Sequence, residues 1–125
     1  MKLSISHLHL LCQDWTRELT FYKTEIDFFK NRLEEIVSKN TDTEVRAQAD
    51  HFENKFRIIN IHCDELLHDI NLMNTSLSAQ AMSKPNYINI KMIQNDENLE
   101  GLMEFTANDF NATKKEFHLF LAKNL

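Results

Sequence analysis

The side chains best equipped for chemistry in this chain are its histidines, its two cysteines and the carboxylates near them. Glu65-Leu66-Leu67-His68 has the E-x-x-H spacing that sets a carboxylate and an imidazole on one side of a helix, as the inward faces of di-iron carboxylate bundles do. His62 lies one turn earlier, so His62, Glu65 and His68 form the candidate metal set of an alternative reading, a metal-binding helical bundle. The motif occurs once, whereas a dinuclear centre draws ligands from several facing helices. H-x-x-x-H and H-x-x-x-E, the spacings of a hemerythrin-like site, are absent from the sequence. His7 and His9 fall near the start and His51 and His118 on outer helical positions, so the histidines do not converge on one level.

Covalent chemistry finds less support. Cys12 and Cys63 are too few for a secreted disulfide scaffold and are not spaced as a C-x-x-C pair. Both fall at apolar-seam positions, where burial disfavours the thiolate. A glycine-rich phosphate loop and a G-x-S-x-G elbow are likewise missing. The sequence therefore predicts a protein that is not an enzyme and that carries no cofactor.

The elements that hold these residues follow from punctuation and period. With one Gly and one Pro in 125 residues, the chain lacks the turn residues that sandwiches, barrels and wound sheets need, which leaves helix. From Leu8, apolar residues recur at alternating steps of four and three: Leu8, Cys12, Trp15, Leu19, Tyr22, Ile26, Phe29, Leu33, Ile36. That a/d seam predicts a first long helix, about 6–39, with Trp15 pointing inward. Thr41 followed three residues later by Glu44 reads as a capping box opening a second helix, about 43–82. Its seam runs Val45, Ala49, Phe52, Phe56, Ile59, Cys63, Leu66, Ile70, Met73, Leu77, Ala81. A third helix, about 87–123, follows Pro85 with the seam Leu99, Met103, Thr106, Phe110, Thr113, Phe117, Phe120. An alternative has Asn95 as its N-cap and Tyr87 to Ile93 as an irregular lead-in.

Short connections make successive helices antiparallel. The expected fold is all-α: an elongated up-down-up three-helix bundle in one domain, 1–125, with the left-handed, coiled-coil-like packing that a 3.5-residue repeat imposes. A turn near Asn40 to Asp42 pairs residues whose numbers sum to about 82. That register separates Cys12 from Cys63 by roughly 10 Å along the axis, too far for a disulfide.

The seam leaves large apolar side chains over. Phe21, Phe28, Ile58, Leu72, Phe105 and Leu119 fall at c positions and Ile61 at f. A strip containing Phe21, Phe28, Ile58, Ile61, Phe105 and Leu119 is the expected partner-binding surface, because a large exposed apolar patch marks an interaction site. The bundle is thus expected to self-associate, possible homodimer formation included, or to dock a partner helix. A net charge of −5, from 14 Lys and Arg against 19 Asp and Glu, argues against a nucleic-acid or anionic-membrane surface. No run approaches the roughly 18 apolar residues of a membrane span. The first residues, Met1 to Cys12, hold two histidines and precede no small-x-small cleavage site, so a cytoplasmic location is expected.

Trp15 to Ile26, Arg32 to Ile36 and Lys115 to Lys123 resemble uncharacterised small helical coiled-coil proteins of Bacteroidetes-type bacteria. That resemblance implies a bacterial cytoplasmic protein with a helical hairpin followed by a third helix. It carries no catalytic residue and no function.

Overall fold

A computed structural model describes residues 4–83 and 90–125, and these form three long helices: α1 (Ile5–Lys39), α2 (Thr43–Ser83) and α3 (Ile90–Asn124). Ser4 caps α1 by accepting the His7 N–H at 3.1 Å. At the other end Asn40 donates its side-chain amide to the Ile36 carbonyl at 2.9 Å. The cap of α2 differs from the sequence expectation. Asp42, rather than Thr41, accepts the Glu44 N–H at 2.8 Å, because the helix opens at Thr43 and only the residue just before it can reach that amide. Arg46 then ties the hairpin shut by donating to the Asn40 and Val37 carbonyls, groups that the end of α1 leaves without helical partners. The third helix is already formed at Ile90, so Asn95 lies within it and is not its cap. The expected start at Tyr87 lies outside the described residues.

The register is that of an up-down-up antiparallel three-helix bundle. Across the first hairpin, His9 meets Asn74, Phe29 meets Phe56 and Lys23 meets Asp64, pairs whose numbers sum to 83, 85 and 87. Between α1 and α3 the offset is instead constant: Tyr22 lies on Phe110, Phe29 on Phe117, and Glu25 pairs with Lys114, which makes those two helices parallel. At about 1.5 Å per residue, the 41 residues of α2 span roughly 60 Å. Among the described residues no helix is long and apolar enough to cross a membrane.

The buried residues are the seam itself. Leu8, Leu19, Ile26, Phe56, Cys63, Leu77 and Phe117 are fully covered, and burial of a large aliphatic or aromatic side chain contributes roughly 1.5–3 kcal/mol. Toward the hairpin end the core is aromatic. Phe29, Phe52, Phe56, Phe117 and Phe120 form one cluster, with Phe117 between 5.0 and 5.4 Å, centroid to centroid, from Phe29, Phe56 and Phe52. Trp15 departs from its expected inward place: it packs against the core but stays partly exposed. Its indole N–H favours a position that water can reach over full burial without a partner. Val45 and Ala81, near the two ends of α2, are likewise only partly covered.

α2 is the central helix and approaches both neighbours closely, whereas α1 and α3 meet mainly through long side chains. Lys114 arches over that third seam. It reaches Glu25 at 3.1 Å and lies about 6 Å from the Phe29 and Phe110 rings.

Candidate functional site: the α2–α3 face

Each apolar side chain expected at an interaction surface is exposed. Phe21, Phe28, Phe105 and Leu119 are more than half exposed, and Ile58 and Ile61 are 40% and 44% exposed. They do not form the single strip anticipated from their lettering. On α1, Glu25 points to α3 and Lys23 to α2, so Phe21 and Phe28, on the Glu25 side of the helix, flank the α1–α3 seam. Phe28 there packs beneath the Arg32 guanidinium, 5.3 Å from the ring centre. Leu119 borders a different hollow, of about 500 Å³, near the hairpin end of the α2–α3 seam. Ile61 projects from the outermost line of α2. The physical reason for the division is that the c positions of α1 border the α1–α3 seam, whereas Leu72 on α2 and Phe105 and Leu119 on α3 border the α2–α3 seam.

The most developed of these is the groove between α2 and α3 in the half of the rod away from the first hairpin. One hollow of about 780 Å³ is bordered by Asp69, Leu72, Ser76, Asn95, Glu97, Gly101 and Leu102. A second, of about 200 Å³, is bordered by His62, Glu65, Asp69, Leu102 and Phe105. They share Asp69 and Leu102 and so adjoin one another. Leu72, Leu102 and Phe105 are each about half exposed, and the His62 ring lies 6.4 Å from that of Phe105. Gly101, on the wall of the larger hollow, faces open space: a Cβ built there would meet no atom within 4 Å. Leu72, Leu102 and Gly101 were not among the expected partner-binding residues.

Charge is uneven along the chain, and three of its acids, Glu65, Asp69 and Glu97, border this groove. Between residues 58 and 113 the sequence holds eight acids, Asp64, Glu65, Asp69, Asp96, Glu97, Glu100, Glu104 and Asp109, against two lysines, Lys84 and Lys91, the second of them in the first turn of α3. Asp64 is compensated by Lys23 from α1. Outside this stretch the chain has twelve Lys and Arg against eleven acids, so the entire negative excess lies on one half of α2 and α3. A sequence signal for this was present in two long runs without Lys or Arg, 58–83 and 92–113.

The metal-ligand candidates stand on one helix. His62 is half-buried and, with Glu65, borders the smaller hollow, whereas His68 is exposed and does not. Among the described residues no group of three or more His, Cys, Asp or Glu side chains is gathered as an ion would require. Cys12 and Cys63 are free and buried. Burial pushes the Cys63 thiol up to about 11, with Lys23 opposing and Asp64 adding to the shift. The Cys12 thiol is raised by burial and by Asp96.

Asp96 is a polar residue that the seam reading passed over. The four-three step from Met92 to Leu99 lands on it, and its side chain is 5% exposed. Its Oδ1 and the Nε2 of His7 are both buried without a hydrogen-bond partner. Burial holds the Asp96 carboxyl above its usual range, Glu100 and Glu97 add to this, and His7 opposes it.

Comparison with protein-family models, with curated proteins and with solved structures finds no match.

Proposed function

We propose that this bundle is a non-enzymatic interaction module whose α2–α3 face docks a helix. The observation that carries this reading is the pair of adjoining hollows bordered by Leu72, Leu102 and Phe105, large apolar side chains that the bundle leaves about half in water. A groove between two antiparallel helices is shaped for a further helix laid along it, and the product is the packing of a four-helix bundle. Phe21 and Phe28 border another seam and are secondary to this surface.

Two measurements together test the reading: sedimentation at tens of micromolar, and binding of labelled amphipathic helical peptides. Either a dimer or a peptide complex is expected. The double substitution Leu102→Ser with Phe105→Ser abolishes it while the helical circular-dichroism signal is kept, since both side chains are already about half exposed. A wild-type chain that stays monomeric and binds no amphipathic helix of any charge refutes the proposal.

A further inference from the structure

We infer that the occupant of the α2–α3 groove is a basic amphipathic helix supplied by another polypeptide. This rests on the docking reading above and adds the chemistry of the partner. The groove is bordered by the apolar Leu72, Leu102 and Phe105 and by the exposed carboxylates Glu65, Asp69 and Glu97. From His62 to Ser76 it runs about 21 Å, or roughly four helical turns. A helix with apolar residues at i, i+3, i+4 and i+7 can cover those apolar side chains while its polar positions meet the acids among them. Lys or Arg at those positions neutralises carboxylates that apolar neighbours would otherwise leave partly desolvated and unpaired. Gly101 adds an independent feature of shape. It lacks any intramolecular contact that would explain a missing side chain, and its bare backbone on the groove wall allows close approach of a second helix.

A second copy of this chain fits less well. Self-association through this face about a twofold axis would set the same acidic surface against itself. The remainder of the chain, with twelve bases and eleven acids, presents no comparable excess of positive charge to meet it.

Fluorescence anisotropy with three labelled helical peptides of roughly 18 residues tests the inference. All share one apolar face of leucines and differ only in a polar face of Lys, Gln or Glu. The Lys peptide is expected to bind roughly tenfold more tightly than the Gln peptide, and the Glu peptide least. Raising salt from about 50 mM to about 500 mM should erase that order, as should the triple substitution Glu65→Gln, Asp69→Asn, Glu97→Gln. Leu102→Ser with Phe105→Ser, and separately Gly101→Leu, should weaken the Lys peptide roughly tenfold or more. Equal binding of all three peptides overturns the basic-partner assignment and leaves helix docking intact. Binding of none, by a monomeric chain, overturns both. Binding of the Lys peptide that survives Leu102→Ser with Phe105→Ser overturns the groove assignment, since general attraction to acids then suffices. A dimer sealed through this face overturns the choice of a separate polypeptide.

Discussion

Replacing Asp96 by leucine is expected to stabilise the bundle at neutral pH. Asp96 occupies the buried seam position between Met92 and Leu99, and its Oδ1 has no partner. Leaving such a group buried and unsatisfied costs about 1–3 kcal/mol, more when it is charged. At about 2.1 cal/mol/K per residue, the unfolding entropy of a chain this long is roughly 0.26 kcal/mol/K, so each kcal/mol moves the melting temperature by about 4 °C. Asp96→Leu should therefore raise Tm by roughly 4–12 °C near pH 7.5. The gain should also depend on pH. Burial holds the folded-state pKa of Asp96 above its ordinary value, so between those two values the native state binds more protons than the unfolded one. Stability of the natural chain must then fall as pH rises through the raised value, and the charge penalty must vanish below the unfolded one. His7 faces the carboxylate from α1 and offsets part of the penalty, while Glu97 and Glu100 on α3 increase it. Cys12 also faces it from α1, and the register sets Met73, Ser76 and Leu77 of α2 opposite, none of them acidic or basic. Thermal melts followed by circular dichroism, for both proteins at several pH values from about 4 to 7.5, measure the difference. A gain that is constant across that range, or a loss of stability at neutral pH, refutes the account of Asp96 as a buried, unpaired carboxylate.

Two further substitutions separate core from surface. Phe117→Ala, at the centre of the aromatic cluster, should cost about 3–5 kcal/mol in urea unfolding, whereas Phe28→Ala, on the exposed α1 rim, should stay within about 0.5 kcal/mol; similar losses at both positions would contradict the burial pattern. Gly101→Ala should gain roughly 1 kcal/mol from helix propensity alone, because the added methyl meets nothing within 4 Å, and a lowered Tm would show that this space is not open.

The periodicity of the chain carried most of the fold. A four-three step is a direct consequence of helices packed along one seam, and the residues on it from Leu19 to Ile36 and from Ala49 to Leu77 are the ones that the structure buries. Its limits are also physical. Trp15 occupies a seam position, but a large ring with a polar N–H tolerates partial exposure better than the leucines beside it. Asp96 continues the step exactly where a rule searching for apolar residues sees a gap. Arg46 reaches back to the Asn40 and Val37 carbonyls, a contact that depends on the path of the turn and leaves no trace in spacing. The exposed apolar side chains were legible in residue type but not in arrangement. Lettering within one helix gives the angle of Phe21 or Phe105 about its own axis, while the groove each one borders depends on which neighbour lies on that side.

The basic-helix reading gains force from features that each work against the isolated bundle. Leu72, Leu102 and Phe105 keep apolar surface in water, which forgoes part of the roughly 1.5–3 kcal/mol that burial of each would return. Gly101 gives up about 1 kcal/mol of helix propensity at a position where no neighbour requires a small residue. Eight acids against two lysines on one half of α2 and α3 add self-repulsion that an even distribution of the same charges would avoid. Each has an ordinary explanation when taken singly, since proteins expose leucines, accommodate glycines and carry surface charge. The half-exposed apolar side chains, Gly101 and three of those acids, Glu65, Asp69 and Glu97, border the same two adjoining hollows over about four helical turns. A basic amphipathic helix laid there covers Leu72, Leu102 and Phe105, occupies the open space beside Gly101 and neutralises Glu65, Asp69 and Glu97 in one step, whereas a neutral or acidic helix leaves at least the last of these uncompensated.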